Sequence, residues 1–207
     1  LLICRVRIRT KAMVEKTRDK FIEVARQLFA RKGIENTTMH DIASASDKGR
    51  RTIYTYFKSK REIYNAVVES ETEQLLGRLA EIVNRNISPE SKIEQYFACR
   101  FETMREIVKR NGSLRASFFR DFRRVDRARR AISKREIQLL ADILMQGKMQ
   151  GVFHVDDCRQ TAVIITHSLH GLDAPYFRDT LVEEGIDKSK LKDYISNLIL
   201  YGIKRRD

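Results

Sequence analysis

Between Thr37 and Lys60 the chain reads TTMHDIASASDKGRRTIYTYFKSK. The second half of this stretch carries the side chains with the most explicit chemistry. On a helical wheel of about 100° per residue, Ile53 and Phe57 fall together and must face a core, while Arg51, Thr52 and Thr55 point the opposite way. Arg50 and Tyr54 lie on one flank and Tyr56 on the other. The outward surface thus offers two arginines, two threonines and two tyrosine hydroxyls, and no acid. Arginine can donate a fork of N–H bonds to a guanine edge, a threonine methyl can touch thymine, and hydroxyls can bond phosphate. Such a face suits a DNA major groove. Taken alone, it suits a solvated basic helix on an unrelated protein equally well.

Other elements must hold that face in place. Thr38 is a predicted N-cap, and Asp41 three residues on makes an acidic variant of the capping box. Ile42 and Ala43 give the helix that follows an apolar side. Ser46-Asp47-Lys48-Gly49 is polar and contains glycine, as a tight connection requires. Upstream, a helix is predicted from about Glu15 to Lys32, stopped by Gly33, with Phe21, Val24, Ala25, Leu28 and Phe29 forming one apolar stripe. Downstream, Ser59-Lys60-Arg61-Glu62 reads as a capping box opening a long helix to about Asn84. Lys60 falls in its first turn, where free N–H groups already favour a phosphate.

From about Lys16 to Val68 the chain resembles the DNA-binding region of the TetR family of bacterial transcriptional regulators. The resemblance lies in FIEVARQLFARKG, TTMHDIA and TIYTYFKSK, in that order, followed by an apolar run, and it covers roughly the first third of the chain. It implies an all-α fold: an N-terminal three-helix helix-turn-helix domain and a C-terminal helical domain for ligand binding and dimerisation. It implies phosphate contacts at Thr38, Tyr54, Tyr56 and Lys60, and base or near-base contacts at His40, Arg50, Arg51 and Thr52. It further implies a repressor that binds a palindromic operator as a homodimer and leaves it when a small molecule binds. The dimer seam would come from the last two long helices, through Ala162, Ile165 and Leu169 on one and Leu191, Tyr194, Ile195 and Leu198 on the other. One stretch departs from the family. Ala-Gly-Val-Ser, usual between the two short helices, is replaced by Ser46, Asp47, Lys48 and Gly49. Lys48 must keep its ammonium in water where the usual valine packs inward, and Gly49 caps without a side-chain acceptor. The expected division is a basic extension over residues 1–12, the helix-turn-helix domain over 13–60 and the regulatory domain over 61–207. Arg5, Arg7, Arg9 and Lys11 make the extension a flexible basic arm ahead of Met13, itself a natural start.

Composition bounds the rest. A formal net charge of +13 calls for a polyanionic partner; the charge alone fits DNA, RNA or an anionic membrane surface. Hydrophobic residues make up 42% of the chain, enough for a core, and two prolines with nine glycines favour long helices. Cys4, Cys99 and Cys158 are odd in number and far apart, which fits a reduced cytoplasm rather than a disulfide framework or a zinc finger. No apolar run approaches the roughly 18 residues of a membrane span, and the opening lacks a cleavage signal. His167 and His170 stand at a metal-binding spacing without a third ligand, and no catalytic set is visible, so neither a metal, a cofactor nor an enzyme is expected.

The middle of the chain is rich in aromatics. Phe97, Phe101, Met104, Phe118, Phe119, Phe122, Leu140, Leu144 and His167 would either fill a plain core or wall a ligand cavity between helices. The cation run from Arg120 to Arg135 would give such a cavity a basic mouth suited to an amphipathic anion. Such a run is usually a solvated face, and it could also pair with DNA phosphate. Besides the operator-binding repressor, a sequence-indifferent DNA binder and a regulator controlled by a protein partner stay open.

Overall fold

The computed structural model describes residues 2–111, 126–177 and 180–203. Phe118, Phe119 and Phe122 lie outside these residues, as do the side chains of the cation run before Ser133. The described elements are helices: α1 (Leu2–Lys32), α2 (Met39–Ala45), α3 (Arg50–Tyr56), α4 (Lys60–Val83), α5 (Pro89–Asn111), α6 (Asp126–Met149), α7 (Cys158–Phe177), the short α8 (Thr180–Glu183) and α9 (Leu191–Ile203). The all-α expectation is met. Helix α1 starts well before Glu15 and runs through the residues read as a flexible arm. No proline or glycine falls between Leu2 and Lys32, and Arg, Lys, Ala and Leu favour helix, so nothing local stops it. It ends at Gly33, which takes a φ of 81° and returns its N–H to Phe29 O at 2.9 Å.

The described residues form two compact units. The first takes 2–71 together with 108–111. Its core joins Phe21, Ala25, Leu28 and Phe29 of α1 to Ile42 and Ala43 of α2, Ile53 of α3 with Phe57, and Ile63, Val67 and Val68 of α4. The unit therefore continues along α4 past Lys60. Each fully buried Phe or Ile here stabilises by roughly 1.5–3 kcal/mol. Glu71, 2% exposed, accepts from Arg110 and from Asn111 Nδ2, and Arg26 Nε stands 3.9 Å from it. A buried carboxylate is tolerable only with such partners, and it fastens the end of α5 to this unit.

The second unit takes 72–107 and the described residues from Asp126 onward. Leu75 and Leu79 of α4 pack with Ile93, Tyr96, Phe97 and Phe101 of α5, and with Leu140, Ile143 and Leu144 of α6. Ala162, Ile165 and Leu169 of α7 and Leu191 and Ile195 of α9 complete this core. The aromatics of α5 and the leucines of α6 are thus packed side chains, with Met104 partly buried against them. A groove of about 430 Å³ between α4 and α5, bounded by residues such as Arg78, Arg85 and Cys99, is lined by none of them. His167 is exposed, contrary to its expected place in a cavity wall, because the apolar stripe of α7 turns it outward. The cationic mouth finds no counterpart in its two described members: Lys134 is exposed, and Arg135 is an exposed partner of Glu73.

The seam residues also need correction. Ala162, Ile165, Leu169, Leu191 and Ile195 are at most 8% exposed within a single chain, so they hold the subunit itself together. Tyr194 and Leu198 do face outward, at 55% and 76%, as do Ile164 at 67% and Tyr201 at 74%. Helical spacing explains the split, since residues three and four apart share a face and the core took the other one. Helix α7 also continues past Gly171 to Phe177, with Pro175 in its last turn, where it forgoes a single hydrogen bond. At the end of α6, a Cβ on Gly147 would lie 2.0 Å from the ring of Phe153, so only glycine admits that ring.

A charged cluster crosses this apolar core. Arg100 of α5, 1% exposed, donates from both terminal nitrogens to Asp173 of α7 at 3.0 Å and from Nε to Glu136 Oε1 of α6 at 2.7 Å. His170 Nε2 lies 2.7 Å from the other oxygen of Glu136, so this histidine is turned to a carboxylate while His167 is not. Burial pushes the Glu136 carboxyl up; Arg100 and then His170 outweigh it and hold it down to about 2. Burial likewise opposes the charge of Arg100, and the two carboxylates raise its pKa regardless. Lys92, also buried, donates to Val83 O and to Gln146 Oε1, both at 2.7 Å, linking the end of α4 to α6. Among the described residues no group of His, Cys, Asp and Glu could hold a metal, and no helix is long and apolar enough to cross a membrane.

Candidate nucleic-acid interface

The outward surface begins at the N-terminus of α2. Thr38 Oγ1 accepts from the Asp41 N–H at 3.1 Å, and Asp41 Oδ2 accepts from the Thr38 N–H at 2.9 Å, so the capping box is complete. The Thr38 hydroxyl uses its oxygen as the cap and keeps its own O–H for an outside acceptor. Thr38 and His40 are both exposed here.

The connection to α3 is a Schellman turn. Lys48 N–H returns to Ala43 O and Asp47 N–H to Ser44 O, both at 3.0 Å. Its left-handed position is Asp47, with a φ of 54°. The family's usual glycine belongs at that position; here an aspartate takes it, and Lys20 of α1 holds the carboxylate at 3.1 Å. The turn thus has Schellman geometry with a non-glycine residue at its left-handed position. Lys48 is exposed, keeping its ammonium in water, and Gly49 caps α3 without a side-chain bond.

Helix α3 rests on Ile53, 0% exposed, and on Phe57, 1% exposed, whose ring also carries the Arg18 guanidinium at 5.3 Å. Opposite them, Arg51 is exposed and Thr52 is half-buried, while Arg50 and Tyr54 are exposed on one flank. Arg50 lies over the ring of Tyr54 at 5.9 Å, which organises both at one edge of the face. Thr55 turns its hydroxyl back to Arg51 O at 3.2 Å. Tyr56 is half-buried, its ring tilted on Phe21 at 5.7 Å.

Lys60 is placed differently from the rest. Its Nζ donates to Ile34 O at 2.6 Å and to Glu35 O at 3.4 Å, in the loop that precedes α2. The start of α4 is also half of what was expected: Ser59 Oγ accepts from the Glu62 N–H at 3.2 Å, but Glu62 reaches past Ser59 to the Lys58 N–H at 2.6 Å. The structure therefore gathers Thr38, His40, Arg50, Arg51, Thr52 and Tyr54 on and around one acid-free helix. It gives the ammonium of Lys60 backbone partners. The Lys20–Asp47 pair, the Arg18–Phe57 contact and the Lys60 clamp were missed from sequence. The clamp could not have been found there, because its acceptors are main-chain oxygens that every residue possesses.

Residues 21–67 match the profile described as bacterial regulatory proteins, tetR family. Over those residues the chain is similar to the tetR family of bacterial regulatory proteins. The matched residues run from α1 through α2 and α3 into α4. Among its relatives is the HTH-type transcriptional repressor KstR2 of Mycolicibacterium smegmatis, 26% identical over 152 residues, or 71% of this chain and 72% of that protein. Among solved structures, a transcriptional regulator from Cytophaga hutchinsonii superposes with a TM-score of 0.72 over 89% of this chain and 97% of its own, at 21% identity. The fatty acid degradation regulator FadR from Bacillus halodurans does so with a TM-score of 0.68 over 92% and 97%, at 19% identity. Likeness at these identities speaks for the shared fold, which extends beyond the matched profile into the second unit.

Proposed function

We propose that this TetR-family chain is a cytoplasmic repressor that binds a palindromic operator in double-stranded DNA as a homodimer and is released by a small molecule. The observation that carries this reading is the face of α3: Arg51 and Thr52 point away from a wholly buried Ile53, Arg50 and Tyr54 are exposed on one flank, and the helix carries no acid. Arg50, Arg51, Thr52 and His40 would meet base edges, and the hydroxyls of Thr38, Tyr54 and Tyr56 would bond phosphates. The repressor named above supports the sign of regulation. Ile164 on α7 and Tyr194, Leu198 and Tyr201 on α9 leave an apolar outer face suited to a second copy. Two copies would set two recognition helices to face half-sites about one helical turn, roughly 34 Å, apart. Helix α4 runs from the first unit into the second, so a ligand that shifts it would change that separation and weaken binding. The ligand class expected from sequence, an amphipathic anion, draws no support from the described side chains of the cation run, since Lys134 and Arg135 are exposed, nor from Arg100, which is held by two carboxylates.

A nuclease footprint on the DNA upstream of the chain's own gene tests the reading. A discrete protected palindrome is expected. Uniform coverage would instead mark a sequence-indifferent DNA binder.

A further inference from the structure

Lys60 is the odd member of the candidate interface. Its ammonium, half-buried in the first turn of α4, is directed at main-chain oxygens of the segment that joins α1 to α2. That segment is tightly accounted for. Thr37 is 0% exposed, its N–H reaches Ile34 O at 3.3 Å, and its hydroxyl reaches Gly33 O at 2.8 Å. Ile34 O therefore accepts from Thr37 N–H and from Lys60 Nζ together, using both lone pairs. The next residue, Thr38, is the N-cap of α2. The ammonium thus ties the start of α4 to the point where α2 begins, and α2 leads through the Schellman turn into α3.

We infer that Lys60 is a positioning residue for DNA reading: it clamps the Ile34 and Glu35 carbonyls and so sets the entry of α2 and the pose of the α3 face. It does so in place of a phosphate contact. The inference rests on the reading of α3 as the groove-entering helix. The two roles leave different marks on binding. A phosphate contact adds affinity to every duplex alike and releases a counterion, worth about 0.9 in the slope of log K against log salt. A positioning residue adds nothing to that slope, and its loss falls on the discrimination between right and wrong sequence.

The test is Lys60→Met, which keeps the aliphatic stem and removes the donors. Affinity for the operator and for a scrambled duplex is measured at several salt concentrations, below the melting temperature of both proteins. The expected result is a loss of operator discrimination of roughly tenfold, the size of one lost base contact, with the salt slope on scrambled DNA unchanged. A slope reduced by about 0.9 with discrimination intact overturns the inference, and so does a lowered melting temperature with both binding properties intact. If wild-type protein does not discriminate operator from scrambled duplex, the DNA-reading function fails and takes the inference with it. Should Lys60→Met not fold, reductive methylation of wild-type lysines gives the same decision. A clamp protects Lys60 equally with and without operator, whereas protection only in the complex contradicts it.

Discussion

Asp47 holds the left-handed backbone position of a Schellman turn, which glycine most often supplies. The left-handed position of a Schellman turn costs an L-residue roughly 1–2 kcal/mol, which glycine avoids and aspartate partly avoids. Lys20 adds an exposed ion pair of at most about 1 kcal/mol. Asp47→Ala and Asp47→Gly both remove that pair, so their difference isolates the backbone. Alanine should come out less stable than glycine by about 1 kcal/mol in denaturant unfolding; equal stabilities would mean that the turn does not hold a φ of 54° in solution. The outward face of α3 was legible in the sequence because helical spacing alone separates Ile53 and Phe57 from Arg51 and Thr52. The role of Lys60 was not, because its position at a helix start fits a phosphate and a carbonyl equally, and only the fold brings Ile34 O within reach.

At the scale of elements, the caps of α2 and the stops at Gly33 and Gly151 were readable from residue type, since each depends on neighbours in the chain. Which face of α7 and α9 turns inward was not. Both faces of these helices carry apolar residues, and only packing against α5 and α6 assigns Leu191 and Ile195 to the core and leaves Leu198 out. The charged cluster that joins α5, α6 and α7 was equally hidden, as Arg100, Glu136 and Asp173 lie far apart in sequence and each looks like an ordinary surface residue. It has a pH consequence. Glu136 is held at about 2, below its ordinary value of 4.5, so it stabilises the folded state in full above about pH 4.5. That contribution, on the order of 3 kcal/mol, is lost as pH falls from 4.5 towards about 2. Glu136→Gln should therefore lower stability at neutral pH by about 3–5 kcal/mol, because Arg100 stays buried with less charge against it. It should also flatten the acid limb of the stability profile in that window. An unchanged acid limb would show that Glu136 does not carry it.

For the whole molecule, the account requires two copies acting together. The outer faces of α7 and α9 put Ile164, Tyr194, Leu198 and Tyr201 into solvent in a single chain. Leu198→Glu should leave the subunit folded, since its side chain is already 76% exposed, yet turn a dimer into monomers in sedimentation. A variant that remains dimeric would place the seam elsewhere. The most direct measurement of the central claim is selection of bound duplexes from a random pool by the wild-type protein and by Arg51→Ala in parallel. Wild type should enrich one sequence made of two half-sites related by a two-fold axis. Arg51→Ala should enrich the same site with the preference flattened at one base pair in each half, a loss of roughly 1–3 kcal/mol there. A wild-type pool without a common sequence, or an Arg51→Ala pool with undiminished preference at every position, would contradict the claim that the α3 face reads DNA.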